Sequence, residues 1–313
     1  MRFSYTTTEA KADEKSLNFL LEQLAITQPS AEQELKMDWP NPHHCLLNIK
    51  RDDLIHPIIS GNKWRKLKYS LCHALENDCS HIVSFGGGFS NHLHALAYCC
   101  KQLNIKFTAI VRGDYRANPS PMLQDLSQWQ SDIHYVDKLT YQRREKPEYL
   151  ALLQKEYPDA MIIPEGGSNT LALQGVAEIV NELSGHYDYI VAPVASGATL
   201  AGLIHATHQT SCKILGIGVL KGEGYLEELV QQLLPQSYGH WSINHEYHCG
   251  GYAKSNIELR DFCRDFYQQT QVDIEPVYSG KLFFALRHLI QQAYFPVNSR
   301  ILALHTGGLQ GAR

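Results

Sequence analysis

Short apolar segments alternate with amphipathic segments of helical length along most of this chain. We predict buried strands at residues 81–85, 106–111, 132–136, 160–163, 189–194, 213–219 and 300–304. Apolar positions recur at helical spacing in residues 12–24, 91–103, 121–130, 149–157, 171–183, 199–208, 258–270 and 281–294. Strands that are apolar on both faces and alternate with helices indicate an open α/β fold with mostly parallel sheets.

Five of the predicted strands lead into glycine. The segments are SFGGG at 84–88, VRG at 111–113, IPEGG at 163–167, APVASG at 192–197 and LHTGG at 304–308. Any one of them could be an ordinary turn. Ligands of open parallel sheets bind beyond the carboxyl ends of the strands, and glycine there lets backbone approach a ligand closely. Five such loops therefore favour one shared cleft.

Composition and charge exclude several broad classes. The 313 residues carry a formal net charge of −4, which argues against a general nucleic-acid binder. We find no run of 18 apolar residues that would cross a membrane, and the N-terminal residues lack the apolar segment of a secretory signal. The eight cysteines form no C-x-x-C pair, which suits reduced thiols and a cytoplasmic protein.

Two of the glycine loops open helices in a way that suits a ligand. The segment ASGATLAG at 195–202 follows a strong strand, and its free N–H groups with the hydroxyls of Ser196 and Thr199 would hold one phosphate group. An ordinary helix cap is the alternative. The segment FGGGFSNHLH at 85–94 places Ser90 and Asn91 at a second helix start. Its two histidines diverge on a helix, so we expect no metal site.

The segment SGNKWRKLKY carries four cations behind Gly61, namely Lys63, Arg65, Lys66 and Lys68. A solvated basic helix face is the plain interpretation of such a segment. A single phosphate site together with a lysine that follows glycine instead points to pyridoxal phosphate held as a Schiff base. Neighbouring cations and partial burial would lower the pKa of Lys63 enough to make it a nucleophile.

Six segments of the chain resemble those of a known family. The segments RDDLIHPIISGNKWRKLKYSL, SFGGGFSNH, IIPEGGSN, APVASGATLAGL, EPVYSGK and LHTGG match, in order from residue 50 to residue 308, those of the fold-type II pyridoxal-phosphate enzymes. Within that group the chain is similar to the 1-aminocyclopropane-1-carboxylate deaminase and D-cysteine desulfhydrase family. The resemblance implies a tryptophan synthase beta-like fold with two open, twisted, mostly parallel sheets flanked by helices.

The resemblance also implies roles for individual residues. The catalytic residues would be Lys63, Ser90 and Tyr278. The residues that bind the cofactor would be Lys63, Asn91, Ser196, Gly197, Ala198, Thr199, Ser279 and Thr306. The residues that meet a small amino-acid substrate would be Ser90, Asn91, His92, Tyr252 and Tyr278.

The family pattern further implies a small domain at residues 65–165, inserted into a large cofactor-binding domain formed by residues 1–64 and 166–313. The cofactor would lie between the two domains. A homodimer is implied as well, with no nucleic-acid or membrane partner.

One departure from the family pattern bears on the reaction. Ring-opening deaminases of the family have a glutamate directly after the tyrosine of their V-Y-x-G-K motif, where this chain has Ser279. A neutral hydroxyl from Ser279 or Thr306 stabilises a protonated pyridine less than a carboxylate does. We therefore expect β-elimination from D-cysteine, which gives pyruvate, ammonia and sulfide. Ring opening of 1-aminocyclopropane-1-carboxylate and a catalytically silent binding protein are the alternatives.

Three further residues depart from close relatives near the pocket. They are Phe89, His94 and Glu165. We expect them to alter the size or polarity of the substrate that the pocket accepts.

Overall fold

The computed structural model describes residues 13–309, in which strands and helices alternate. The helices are α1 (Glu14–Gln23), α2 (Asn62–Glu76), α3 (Asn91–Gln102), α4 (Pro121–Gln128), α5 (Lys138–Gln142), α6 (Pro147–Glu156), α7 (Thr170–Asn181), α8 (Ala198–Thr207), α9 (Tyr225–Leu233), α10 (Ile257–Thr270) and α11 (Ser279–Gln291). The strands are β1 (Glu32–Glu34), β2 (Leu46–Lys50), β3 (His81–Gly87), β4 (Lys106–Arg112), β5 (Asp132–Val136), β6 (Ala160–Ile163), β7 (Tyr189–Val194), β8 (Lys213–Gly218), β9 (Trp241–Asn244) and β10 (Arg300–Leu304).

All seven predicted strands and all eight predicted helices are present. Their ends lie within a few residues of the predicted ones, although Ala12, at the start of the first predicted helix, lies outside the described residues. The strands that the pattern missed are β1, β2 and β9. Strands β1 and β9 are edge strands of three and four residues, so their side chains lack the two-sided apolar pattern that predicts a buried strand.

The larger sheet has six strands in the order β1-β2-β10-β7-β8-β9. Only the β1–β2 pair is antiparallel, and the other four pairs are parallel. Helices cover both faces. One apolar cluster joins the sheet to α10 and α11, and another joins it to α7, α8 and α9.

The smaller sheet has four parallel strands in the order β5-β4-β3-β6. Helices α1 to α4 contribute to the apolar cluster on one face, while α5 and α6 contribute to the cluster on the other. The structure therefore confirms the predicted class of two mostly parallel sheets flanked by helices. All four strands of the smaller sheet fall within the predicted inserted domain, whose exact bounds remain a prediction.

Helix α2 carries the basic segment, and most of that segment is buried. Arg65 is fully buried and binds the Asp52 carboxylate (Nη2 to Oδ1, 3.0 Å) and the Glu182 carboxylate (Nη1 to Oε1, 2.5 Å). Lys68 is also buried and pairs with Glu178. The plain interpretation of a solvated basic face is therefore wrong, because carboxylates from the segment before α2 and from α7 neutralise these cations inside the fold.

Candidate active site

A pocket of about 350 Å³, its open mouth included, surrounds the start of α2. The pocket is lined by Ile58, Ile59, Ser60, Asn62, Lys63, Asn91, Tyr278, Thr306, Gly307 and Gly308. Helix starts from both sheet regions and the loop after β10 thus bring four of the predicted site residues together, namely Lys63, Asn91, Tyr278 and Thr306.

Gly61 has a structural reason that the sequence did not reveal. Its φ of +62° is in the left-handed region, and a Cβ built there would lie 1.8 Å from the Thr306 carbonyl oxygen. The next residue, Asn62, donates its backbone N–H to the same oxygen at 3.2 Å. Glycine is required because the chain before Lys63 passes directly against the loop after β10.

Lys63 lies in the pocket and makes no hydrogen bond or ion pair within the part of the chain that the structure describes. Burial lowers the pKa of its ammonium to about 8, and the nearby Glu165 carboxylate opposes that shift. From the sequence alone, we attribute part of this shift to the neighbouring cations. That attribution is wrong for Arg65 and Lys68, because carboxylates hold both of them on other sides of α2.

The predicted phosphate loop lies at the start of α8. Gly197 has a φ of +80° and no side chain caps this helix, although Ala198 and Thr199 are buried. Helices α3, α4, α7 and α10 each begin with a capping Ser or Asn side chain. A buried helix start without a side-chain cap leaves N–H donors for an anion.

Two side chains of α2 reach this loop. The Asn62 amide donates to Thr199 Oγ1 at 2.9 Å, and Lys66 Nζ donates to Ser196 Oγ at 3.2 Å. From the sequence we expect only N–H groups and hydroxyls at this site, and the structure adds the ammonium of Lys66. Burial and the charge of Lys63 hold the pKa of Lys66 well below its usual range, and a phosphate would supply the missing counter-charge.

Ser90 and Asn91 begin α3, as predicted. The Ser90 hydroxyl oxygen accepts a hydrogen bond from the Leu93 N–H at 3.2 Å, so its own O–H remains available as a donor. His92 is buried, and its Nε2 lies 2.7 Å from Ser84 Oγ inside the fold. A direct contact between His92 and substrate therefore stays a prediction.

Tyr278 and Tyr252 form a pair at the pocket. Their hydroxyl oxygens are 2.9 Å apart, and their rings meet at an interplanar angle of 72°. Tyr278 lines the pocket, whereas Tyr252 is about half exposed. Burial, with the Tyr252 hydroxyl adding to it, holds the pKa of Tyr278 well above its usual range, so the pair is protonated at neutral pH.

Ser279 lies behind Tyr278 and is fully buried. Its hydroxyl accepts a hydrogen bond from the Glu275 N–H at 3.0 Å and donates to Glu275 Oε1 at 3.2 Å. The Ser279 proton is thus already used within the protein. Thr306, by contrast, lines the pocket.

The three departures from the family pattern occupy different surroundings. Phe89 is exposed and meets the ring of Tyr115 edge to face at 6.2 Å. His94 is buried and its Nε2 lies 2.8 Å from the Asp125 carboxylate, within the small-sheet region. Glu165 pairs with Arg144 at 2.6 Å. Only Phe89 and Glu165 therefore remain candidates to affect the pocket.

The residues present fit pyridoxal phosphate. The cofactor has a phosphate and an aldehyde. The structure provides the uncapped, buried start of α8 with Lys66 beside it, and Lys63 with its lowered pKa in the adjoining pocket. Within residues 13–309, no group of three His, Cys, Asp or Glu side chains is placed to hold a metal ion. No helix among these residues is long and apolar enough to cross a membrane.

Comparisons with known proteins agree with this assignment. The family model described as pyridoxal-phosphate dependent enzyme matches residues 39–307. A putative 1-aminocyclopropane-1-carboxylate deaminase of Pyrococcus abyssi is 29% identical over 280 residues, which cover 84% of each chain. The bifunctional D-cysteine desulfhydrase/1-aminocyclopropane-1-carboxylate deaminase of Arabidopsis thaliana is 29% identical over 86% of this chain and 74% of its own length.

The similarity extends to solved structures. The crystal structure of an ACC deaminase homologue superimposes with a TM-score of 0.76 at 25% identity, over 94% of this chain and 95% of that one. The family match covers most of the chain and spans every segment of the site described above. This chain therefore belongs to the pyridoxal-phosphate dependent enzymes, in the fold-type II group that includes the 1-aminocyclopropane-1-carboxylate deaminases and D-cysteine desulfhydrases.

Proposed function

We propose that this enzyme removes the α-proton of a small amino acid and eliminates the substituent on its β-carbon, with D-cysteine as the first substrate to test. One observation carries the choice of reaction: among residues 13–309, none of those that line the pocket is an aspartate or a glutamate. The neutral Thr306 hydroxyl suits a cofactor whose ring nitrogen is not protonated. Such a ring withdraws electrons from the α-carbon less strongly. Elimination of a good leaving group from the β-carbon requires less electron withdrawal.

In this proposal each side chain has a separate task. Lys63 holds the cofactor and then moves the α-proton, since its lowered pKa of about 8 leaves a useful fraction of the amine neutral at neutral pH. The free O–H of Ser90 and the start of α3 receive the substrate carboxylate. Asn91 and Thr306 contact the cofactor ring, and the start of α8 with Lys66 holds the phosphate. The cofactor itself supplies the electron withdrawal from the α-carbon.

The names of the relatives support both candidate reactions, β-elimination from D-cysteine and ring opening of 1-aminocyclopropane-1-carboxylate. The Arabidopsis relative carries both names, and a relative in Klebsiella pneumoniae that is 27% identical over 83% of this chain is named D-cysteine desulfhydrase. Ring opening remains the second candidate, because the Pyrococcus relative carries that name alone. A catalytically silent binding protein is the third and is disfavoured, because Lys63, Ser90 and Tyr278 are all present.

Two assays on the same purified enzyme distinguish these reactions. D-cysteine should release sulfide and pyruvate in equal amounts, and 1-aminocyclopropane-1-carboxylate should give 2-oxobutyrate much more slowly. L-cysteine serves as the stereochemical control. Release of 2-oxobutyrate without any release of sulfide would contradict the role that we give to the neutral Thr306.

We also propose a cytoplasmic homodimer with the domain bounds predicted above. All eight cysteines are unpaired in the structure, which suits a reducing compartment. Sedimentation equilibrium measures the oligomeric state directly, and a monomer at micromolar concentration would contradict the dimer.

A further inference from the structure

The start of α11 controls more of the site than Tyr278 alone. Within seven residues it carries a buried carboxylate, Glu275, the pocket tyrosine, Tyr278, and a fully buried ammonium, Lys281. A buried charge is energetically costly unless it is hydrogen-bonded. The hydrogen-bond partners of Glu275 and Lys281 therefore show which parts of the backbone these side chains hold in place.

Glu275 holds the backbone on both sides of Tyr278. Its carboxylate accepts hydrogen bonds from the N–H groups of Val277 (2.6 Å), Tyr278 (2.9 Å) and Ser279 (2.9 Å), and from the Ser279 hydroxyl (3.2 Å). These N–H groups lie in the first turn of α11 and in the residues just before it. Backbone N–H groups at a helix start have no partner within the helix. A carboxylate is also the favourable charge at a helix start.

Lys281 holds the second tyrosine from one turn further along. Its ammonium donates to the carbonyl oxygen of Val219 at 2.9 Å and to that of Gly251 at 2.8 Å. The Gly251 carbonyl belongs to the peptide that joins Gly251 to Tyr252. Lys281 therefore fixes the backbone directly before Tyr252, in the segment that connects β9 to α10.

We propose that Glu275 and Lys281 are positioning residues that hold the hydroxyl groups of Tyr278 and Tyr252 within hydrogen-bond distance of each other, Glu275 through the backbone of Tyr278 and Lys281 through the backbone of Tyr252. The inference deepens the proposed function, because it assigns the geometry of the tyrosine pair at the mouth of that pocket. Tyr252 comes from a different segment of the chain and is half exposed. Its position therefore depends on the hydrogen bond from Lys281 to the Gly251 carbonyl oxygen.

The pair gives this proposal a structural readout that needs no substrate. 3-Fluorotyrosine placed at position 252 reports its hydrogen bond through the ¹⁹F shift of the otherwise unmodified protein. Tyr278→Phe removes the partner hydroxyl and defines the shift of the broken pair. Lys281→Met should move the signal toward that shift, while Lys281→Arg, which keeps the two donors, should move it less.

Lys254→Met is the matched control, because Lys254 is an exposed lysine of the same segment whose side chain donates no hydrogen bond within the described residues. It should leave the ¹⁹F shift at position 252 where it is in the unsubstituted chain. Glu275→Gln, read with the fluorine probe at position 278 instead, should move that signal, since an amide offers one acceptor oxygen in place of two.

A double-mutant cycle on D-cysteine turnover separates positioning from general destabilisation. Lys281→Met should lower kcat/KM about tenfold or more, as a displacement near 1 Å does at other active sites. In a Tyr252→Phe background the same substitution should cost less than about twofold, because the hydroxyl that Lys281 positions is already gone. Lys281→Arg should keep most of the kcat/KM of the unsubstituted enzyme.

Two results would overturn the proposal. One is a Lys281→Met protein that folds with an unchanged ¹⁹F shift at position 252, and the other is a fully additive cycle. If no variant turns over D-cysteine, the proposed function fails while the ¹⁹F comparison still decides the positioning. If Lys281→Met does not fold, Lys281→Arg and Glu275→Gln carry the test.

Discussion

At the scale of single residues, the properties of Lys63 come from its surroundings. Lysine in water titrates near pH 10.4, whereas burial brings the pKa of Lys63 to about 8. Glu165 lies close enough to oppose that shift, and its own pairing with Arg144 limits how strongly it does so. Among the four cations of the basic segment, Lys63 is the one without a hydrogen bond or ion pair to the described residues, since Arg65 and Lys68 bind carboxylates and Lys66 binds Ser196.

This environment predicts the pH dependence of cofactor attachment. The neutral amine is the reactive form, so the rate at which cofactor-free protein combines with pyridoxal phosphate should rise with pH and level off above about 8. Stopped-flow absorbance measures that rate, and Nα-acetyl-lysine is the control whose rate should keep rising to about pH 10.4. A protein rate that keeps rising in parallel with the control would contradict the lowered pKa.

The sequence drew attention to Lys63, which lies in the pocket with a lowered pKa, but it did not reveal the roles of the cations around it. Four charges in six positions look alike in the sequence, because spacing on a helix does not reveal which carboxylates face each position. Arg65 meets Glu182 across 117 residues and Lys68 meets Glu178 across 110. Pairing over such distances depends on the packing of α2 against α7, which no local pattern contains.

At the scale of elements, the start of α2 depends on one backbone conformation. Gly61 combines a positive φ with a gap too small for any side chain. In the sequence, Gly61 is visible only as a glycine two positions before Lys63. The structure shows that the chain there passes close to the Thr306 carbonyl, and this contact joins the loop after β10 to the helix that carries Lys63.

Gly61→Ala should therefore weaken cofactor binding as well as stability. The added methyl group has to displace the Thr306 loop or the start of α2, and we expect a loss of at least about 1–3 kcal/mol in the free energy of unfolding. The dissociation constant of pyridoxal phosphate should rise with it. Denaturant unfolding and absorbance titration measure the two effects.

Gly239→Ala is the matched control for that substitution, because a Cβ at Gly239 would meet no atom within 4 Å. It should change neither quantity measurably. Equal effects from the two alanine substitutions would contradict the close approach at Gly61.

Most elements could be predicted because strands such as β7 and helices such as α11 carry a continuous apolar pattern. The edge strands β1 and β9 could not be predicted in this way. They are short and are held in the sheet by hydrogen bonds to a neighbouring strand, and their own side chains carry no apolar pattern. The start of α8 was predicted as a phosphate loop, because small residues after an apolar strand are visible in the sequence. Its contact with Lys66 was not, because Lys66 and Ser196 are 130 residues apart.

At the scale of the whole molecule, helix α2 joins the parts of the site that different sheets provide. Its first turn carries Lys63 into the pocket, and its next turn sends Lys66 to the start of α8, which follows a strand of the larger sheet. In the proposed site, side chains three residues apart on one helix would meet the aldehyde and the phosphate of the cofactor. Such an arrangement would fix the orientation of the cofactor relative to both sheets.

Lys66→Met tests that arrangement with two ligands that differ only in the phosphate. The dissociation constant of pyridoxal phosphate should rise about tenfold or more, because a charge-assisted contact to phosphate is lost. Pyridoxal without the phosphate should bind the variant and the unsubstituted protein equally. A similar loss for both ligands would mean that Lys66 supports the fold rather than the phosphate.

We propose that Lys63 carries the cofactor, and not Lys66, which is the more deeply buried of the two. Borohydride reduction of the yellow protein, followed by proteolysis and tandem mass spectrometry, locates the attached group. We expect a phosphopyridoxyl group on Lys63 alone, and no attachment in Lys63→Ala. A phosphopyridoxyl group on Lys66, or a protein that takes up no pyridoxal phosphate, would contradict it.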